Sequence, residues 1–116
     1  MNGELSWFEV GVGDPDRARA FFGGLFDWEF ADERGGASIR TPNVPGGIHG
    51  GEEGPGVYLF FSVDDIDAAL ARVRELGGAA GGYDSSDDAE TEARYGRFVM
   101  CHDDQGVPFG LHQPPA

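Results

Sequence analysis

The chain has 116 residues, 40% hydrophobic and 12% aromatic: enough to bury the core of one domain, with no apolar run long enough for a membrane-spanning helix. Its 21 acidic residues outweigh 8 basic ones, all arginines, and the formal net charge of −13 repels nucleic-acid phosphates and anionic membranes. The one cysteine, Cys101, excludes an internal disulfide framework and a multi-cysteine zinc site; with no secretion-like leader in MNGELSWFEV, the expected location is the cytoplasm.

In chain order, the first strand alternates, with Phe8, Val10 and Val12 on one face and Trp7, Glu9 and Gly11 on the other. Asp14 then caps a helix that begins at Pro15, with Asp16 at its positive end. Ala18, Phe21, Phe22 and Leu25 are expected on its buried side, and the pair Gly23-Gly24 reads as turn punctuation. Three short strands follow at about 28–31, 37–41 and 44–49. The pattern then restarts. Trp7–Leu25 slides without a gap onto Tyr58–Leu76, setting Trp7 on Tyr58, Val10 on Phe61, Val12 on Val63, Asp14 on Asp65 and Leu25 on Leu76. In this second copy Leu59, Phe61 and Val63 share a face opposite Tyr58, Phe60 and Ser62. Its helix carries Ile66, Ala69, Leu70, Val73 and Leu76 at helical spacing, is capped by Asp64 or Asp65, and stops at Gly77-Gly78.

Three more strands are expected at about 79–83, 97–102 and 107–113, with an acidic loop over Tyr83–Tyr95 whose role the sequence leaves open. Reading Asp103-Asp104-Gln105-Gly106 as a four-residue turn pairs Arg97 with His112, Val99 with Gly110 and Cys101 with Pro108. His102 and His112 then point to opposite faces and cannot share a metal.

Two βαβββ modules in the stretches VGVGDPDRARAFFGGLFDWEF, VYLFFSVDDIDAALARVRELGG and RFVMCHDDQGVPFGLHQP resemble the vicinal oxygen chelate superfamily, which includes glyoxalase I, extradiol dioxygenases and bleomycin-binding proteins. The resemblance implies an α+β fold, in which a cupped mixed sheet carries its helices on the outside (the glyoxalase/bleomycin resistance/dioxygenase fold). It implies one domain over 1–116, with modules at about 4–51 and 56–114, and a homodimer. It also implies four metal-ligand positions, on the first and last strands of each module. Here these fall on Trp7, on Tyr58, on Gly110 and near Ile48–His49, so at least three lack ordinary ligands.

The alternation puts Trp7, Glu9, Tyr58, Phe60, Ser62, Arg97, Val99, Cys101 and His112 on the concave face, with His49 close by in GGIHGG. The expected function is a metal-free module that holds a flat or aromatic small molecule between Trp7 and Tyr58, with Trp7, Glu9, His49, Tyr58, Phe60, Ser62, Arg97 and His112 as binding residues and no cofactor. The alternative is an enzyme of the same superfamily, a lyase, isomerase or dioxygenase, with a rebuilt divalent-metal site or with Glu9 as general base. Each residue also has a plainer reading. Glu9 could simply pair with a neighbour, Arg97 could be solvated at a strand start, and Cys101 fits a buried inert thiol. A third reading is an accessory domain whose cup is filled by its own side chains.

Overall fold

The computed structural model describes residues 2–116 and is of the expected α+β class. The chain forms two compact units, residues 7–58 and residues 59–116 joined by the N-terminal residues through Ser6. Each repeats the order strand, helix, three strands.

The first unit is built from β1 (Leu5–Gly11), α1 (Pro15–Phe26), β2 (Glu29–Glu33), β3 (Gly36–Arg40) and β4 (Gly46–His49), with sheet order β2-β3-β4-β1. β1 and β4 are parallel, and the other pairs antiparallel. Asp14 caps α1 by accepting from the N–H groups of Asp16 (3.0 Å) and Arg17 (3.2 Å). Val10, Ala18, Ile39 and Ile48 form the core, with Phe8, Val12, Phe22, Trp28 and Phe30 packed on it. Trp28 lies against Phe8, Phe22 and Phe26 at ring separations of 5.5, 5.5 and 4.9 Å.

Two expectations fail in α1. Gly23-Gly24, read as turn punctuation, lies inside the helix, which runs to Phe26 and closes at Asp27 in the left-handed conformation (φ 58°). A Cβ at Gly23 would press on the Phe30 ring at 3.3 Å, so this glycine serves close packing. Phe21 and Leu25 are exposed (64% and 59%), because the helix turns its Ala18–Phe22 stripe inward.

The second unit contains β5 (Gly56–Ser62), α2 (Ile66–Glu75), β6 (Ala79–Asp84), α3 (Ala89–Tyr95), β7 (Arg97–His102) and β8 (Pro108–Gln113), with sheet order β5-β8-β7-β6. β5 and β8 are parallel. The N-terminal segment runs beside β5: Gly3 N–H donates to the Ser62 carbonyl, and Ser62 N–H to that of Glu4, both at 2.8 Å. Asp65 caps α2 by accepting from Ala68 N–H at 3.1 Å. Gly77 (φ 93°) closes it, with Gly78 N–H reaching back to Val73 O at 2.9 Å. The core is Val63, Ile66, Leu70, Val99, Cys101 and Leu111. No helix among the described residues is long and apolar enough to cross a membrane.

The β7–β8 register differs by one residue from the sequence expectation: Arg97 pairs with Gln113, Phe98 with His112, Val99 with Leu111 and Cys101 with Phe109. The turn explains it. Gly106 takes a positive φ (88°) and adds a third loop residue, so Asp103 closes against Val107 (N–H to O, 3.0 Å). The Asp103 carboxylate accepts from the N–H groups of Gln105 and Val107, which holds its pKa below the ordinary value.

The acidic stretch expected as a loop is instead a turn of 3-10 helix over Ser85–Asp87 followed by α3. Asp88 caps α3 through Thr91 N–H at 3.0 Å. The stretch is pinned at its ends. Arg97 grips Asp84 through Nε (3.2 Å) and Nη2 (2.9 Å) and reaches Asp67 of α2 through Nη1 (2.9 Å), while the buried Ser85 hydroxyl accepts from Phe98 N–H at 2.8 Å. The Asp84 carboxyl is held below its usual range by that guanidinium. Arg97→Ala is expected to cost about 1 kcal/mol of unfolding free energy. Amide exchange should quicken over residues 84–96; unchanged exchange would mean that the caps and Ser85 alone hold the stretch.

Candidate functional site

In the first unit the outward-alternating side chains of β1 meet the end of β4. Parallel pairing places Glu9 beside Gly47 and Gly11 beside His49. Trp7 Nε1–H donates to Glu9 Oε1 at 2.9 Å, and the other Glu9 oxygen, Oε2, lies 2.7 Å from His49 Nδ1. His49 Nε2 lies 2.7 Å from Glu52 Oε1. Both imidazole nitrogens therefore face carboxylate oxygens, which only accept, so both carry protons and His49 is an imidazolium. Its pKa is raised from 6.5 to about 9, chiefly by the Glu9 hydrogen bond, with Glu52 adding and partial burial opposing.

Glycines make the room. A Cβ at Gly47 would sit 2.6 Å from Glu9 Oε1 and 3.2 Å from the Trp7 ring, and one at Gly11 would sit 2.8 Å from Glu52 Cγ and 3.1 Å from His49 Nε2. Glu52 is absent from the sequence expectation. Its only signal was the spacing His49-x-x-Glu52 in a glycine-rich segment that lets the chain fold back.

The remaining expected residues divide. Tyr58 is half-buried on β5. Phe60, Ser62 and His112 come together in the second unit. Ser62 is the register partner of His112, and Phe60 meets the Phe98 ring edge-on at 5.2 Å. Phe98 in turn stacks on His112 at 4.3 Å. Arg97, Val99 and Cys101 do not share this face. The one-residue register change turns them toward α2, where Arg97 is held by Asp67 and Asp84 and Cys101 is fully buried with its thiol pKa raised by desolvation. Arg97 therefore leaves the candidate site.

The register also fixes the fourth position of the ligand pattern. β1 pairs with β4 as β5 pairs with β8, Glu9 to Gly47 and Phe60 to Gly110, so Gly47 is the counterpart of Gly110. The four positions carry Trp7, Gly47, Tyr58 and Gly110, a set with one phenol oxygen and no imidazole or carboxylate. Among the described residues no group of three or more His, Cys, Asp or Glu could hold a metal ion. His49 and its two carboxylates fit a metal poorly, since an imidazolium offers no lone pair.

A duplicated βαβββ fold with these strand-end positions is that of the vicinal oxygen chelate superfamily. Residues 7–112 match the model of the glyoxalase-like domain, and the chain belongs to that family. A glyoxylase-like domain-containing protein of Didymella fabae is 27% identical over 119 residues, covering 91% of this chain and 90% of its own. Among solved structures, a hypothetical protein from Bacillus halodurans C-125 superposes with a TM-score of 0.71 at 14% identity, covering 98% of this chain and 96% of that one. Methylmalonyl-CoA epimerase from Mycobacterium tuberculosis gives 0.65 at 21% identity, covering 97% and 89%. At these identities the two structures bear on the fold alone.

The His49 ring protons should titrate by NMR with a midpoint of about 9. Because this pKa is raised on folding, the stabilisation is fully present below pH 6.5 and is lost as pH climbs through about 9. Gly47→Ala should leave the fold intact, since the obstructing Glu9 oxygen ends a flexible side chain, but should move that midpoint back toward 6.5. A wild-type midpoint near 6.5 would contradict the ion-paired geometry.

Proposed function

We propose that this protein is a metal-free small-molecule-binding module, cytoplasmic and homodimeric, that takes a flat aromatic ligand against Trp7 and Tyr58. The observation that carries this reading is the hydrogen bond from Trp7 Nε1–H to Glu9, backed by His49 and Glu52: it fixes an indole at one of the positions, Trp7, where the family resemblance implies a metal ligand. An indole tethered at its nitrogen loses little freedom when a ring stacks on it, so the ordering cost of binding falls. The polar end of the site carries two carboxylates and one imidazolium, in a chain of net charge −13. Such an end favours a neutral or cationic ring that can donate hydrogen bonds, and it opposes a multiply phosphorylated acyl-CoA of the kind in the epimerase's name.

The enzymatic alternative with Glu9 as general base has less support. Both Glu9 oxygens are already engaged, one by the Trp7 indole N–H and the other by the His49 imidazolium, before any substrate proton is presented to them.

Tryptophan fluorescence tests the proposal. Titration with a panel of neutral and cationic aromatic compounds should give saturable quenching that Trp7→Phe abolishes, with Trp28 left as background. His49→Gln should weaken the same ligand roughly tenfold by releasing Glu9 and the indole. Quenching that survives Trp7→Phe, or a stoichiometric divalent metal bound through His49, would overturn the reading.

A further inference from the structure

The second unit holds a different constellation, independent of the Trp7 site. Ser6 Oγ lies 2.8 Å from His112 Nδ1, and His112 Nε2 lies 2.6 Å from the Tyr95 carbonyl oxygen at the end of α3. A carbonyl can only accept, so Nε2 carries the proton. Burial lowers the His112 pKa and keeps the ring neutral. Nδ1 is then a lone pair, and the Ser6 hydroxyl donates to it. Phe98 stacks on the imidazole at 4.3 Å with an interplanar angle of 2°, which fixes the ring plane. His112 is buried, while Ser6 stays partly open to solvent near the start of β1.

We infer that Ser6 is a nucleophile activated by His112, with the Tyr95 carbonyl as the orienting third member, and that it accepts the acyl group of small activated esters. The arrangement meets the requirements for such a centre: a hydroxyl within hydrogen-bond reach of a base, and the base held in one tautomer by another group. In the step, Ser6 Oγ attacks the ester carbonyl carbon and its proton passes to His112 Nδ1. The bond from that carbon to the leaving oxygen breaks, and the imidazolium returns the proton to that oxygen, leaving acyl-Ser6 and a free alcohol or phenol. Water, giving a proton to the same Nδ1, then attacks the acyl carbon; the bond from that carbon to Ser6 Oγ breaks, the imidazolium returns the proton to Oγ, and the acid leaves. The transient imidazolium is stabilised by the Tyr95 carbonyl and by the face of Phe98.

The chain suits a clean test because it has no lysine to acylate and its one thiol, Cys101, is buried. p-Nitrophenyl acetate should release a burst approaching one p-nitrophenolate per chain, with a single acetyl group mapped by mass spectrometry to Ser6. Ser6→Ala should abolish the burst, and His112→Gln should slow it at least a hundredfold. Should His112→Gln fail to fold, Ser6→Cys provides the second measurement: its new thiol, beside a neutral imidazole, should be alkylated by iodoacetamide at least tenfold faster than a free cysteine. Acetylation confined to the N-terminal amine, or a Ser6 burst unchanged in folded His112→Gln, would overturn the inference, as would a Ser6→Cys thiol no faster than free cysteine.

Discussion

A protonated imidazole between two carboxylates organises the outward face of the first unit. Remove the proton and two acceptors confront a ring that can donate from only one nitrogen; remove either carboxylate and a half-buried donor is left unpaired. The three groups therefore form one unit, and Trp7 is attached to it by donating to the second oxygen of Glu9. The chain runs from β1 through β4 to the segment beyond it, so one charge arrangement ties together elements far apart in sequence.

The same backbone pairing supports unlike chemistry in the two units. Gly47 opposite Glu9 and Gly110 opposite Phe60 occupy equivalent register positions, and both are glycine for the same steric reason: a Cβ would stand 2.6 Å from the Glu9 carboxylate or 2.0 Å from the Phe60 ring. A missing side chain on the last strand makes space for a large one on the first. In one copy that space holds a carboxylate bonded to an indole and an imidazolium; in the other it holds a phenyl ring packed on Phe98. The fold thus conserves a volume, and the side chains that fill it decide whether the face is polar or apolar.

Local signals carried most of the architecture. Asp14 and Asp65 cap helices as their sequence context implies, and the alternation of Phe8, Val10 and Val12 against Trp7 and Glu9 survives in the packing. What escaped depends on single positions whose meaning is tertiary. Gly106 adds one residue to a turn, and the side chains of β7 change face relative to those of β8, taking Arg97, Val99 and Cys101 to the helix side while His112 stays with Phe60 and Ser62. Gly23 sits inside a helix because Phe30 needs its space. The caps at Asp84 and Asp88 were missed, because their acidic surroundings read as a loop and the matching charge, Arg97, is brought to them only by the fold. Glu9 and His49 were legible as candidates. Glu52 was not, since its role arises only when the chain folds back over Gly11.

The two histidines at the ends of β4 and β8 show how neighbours, rather than residue type, set chemistry. His49 meets only carboxylate oxygens, so it must donate twice and becomes a fixed cation. His112 meets one carbonyl and one hydroxyl, and the hydroxyl can reverse its role, so a neutral ring satisfies both contacts. Burial then acts in opposite balance: at His49 it is outweighed by two counter-charges, whereas at His112 no carboxylate offsets it. A ring that is already fully protonated can hold a structure together but cannot take a proton at neutral pH. A neutral ring whose one free lone pair points at a hydroxyl is placed to do so.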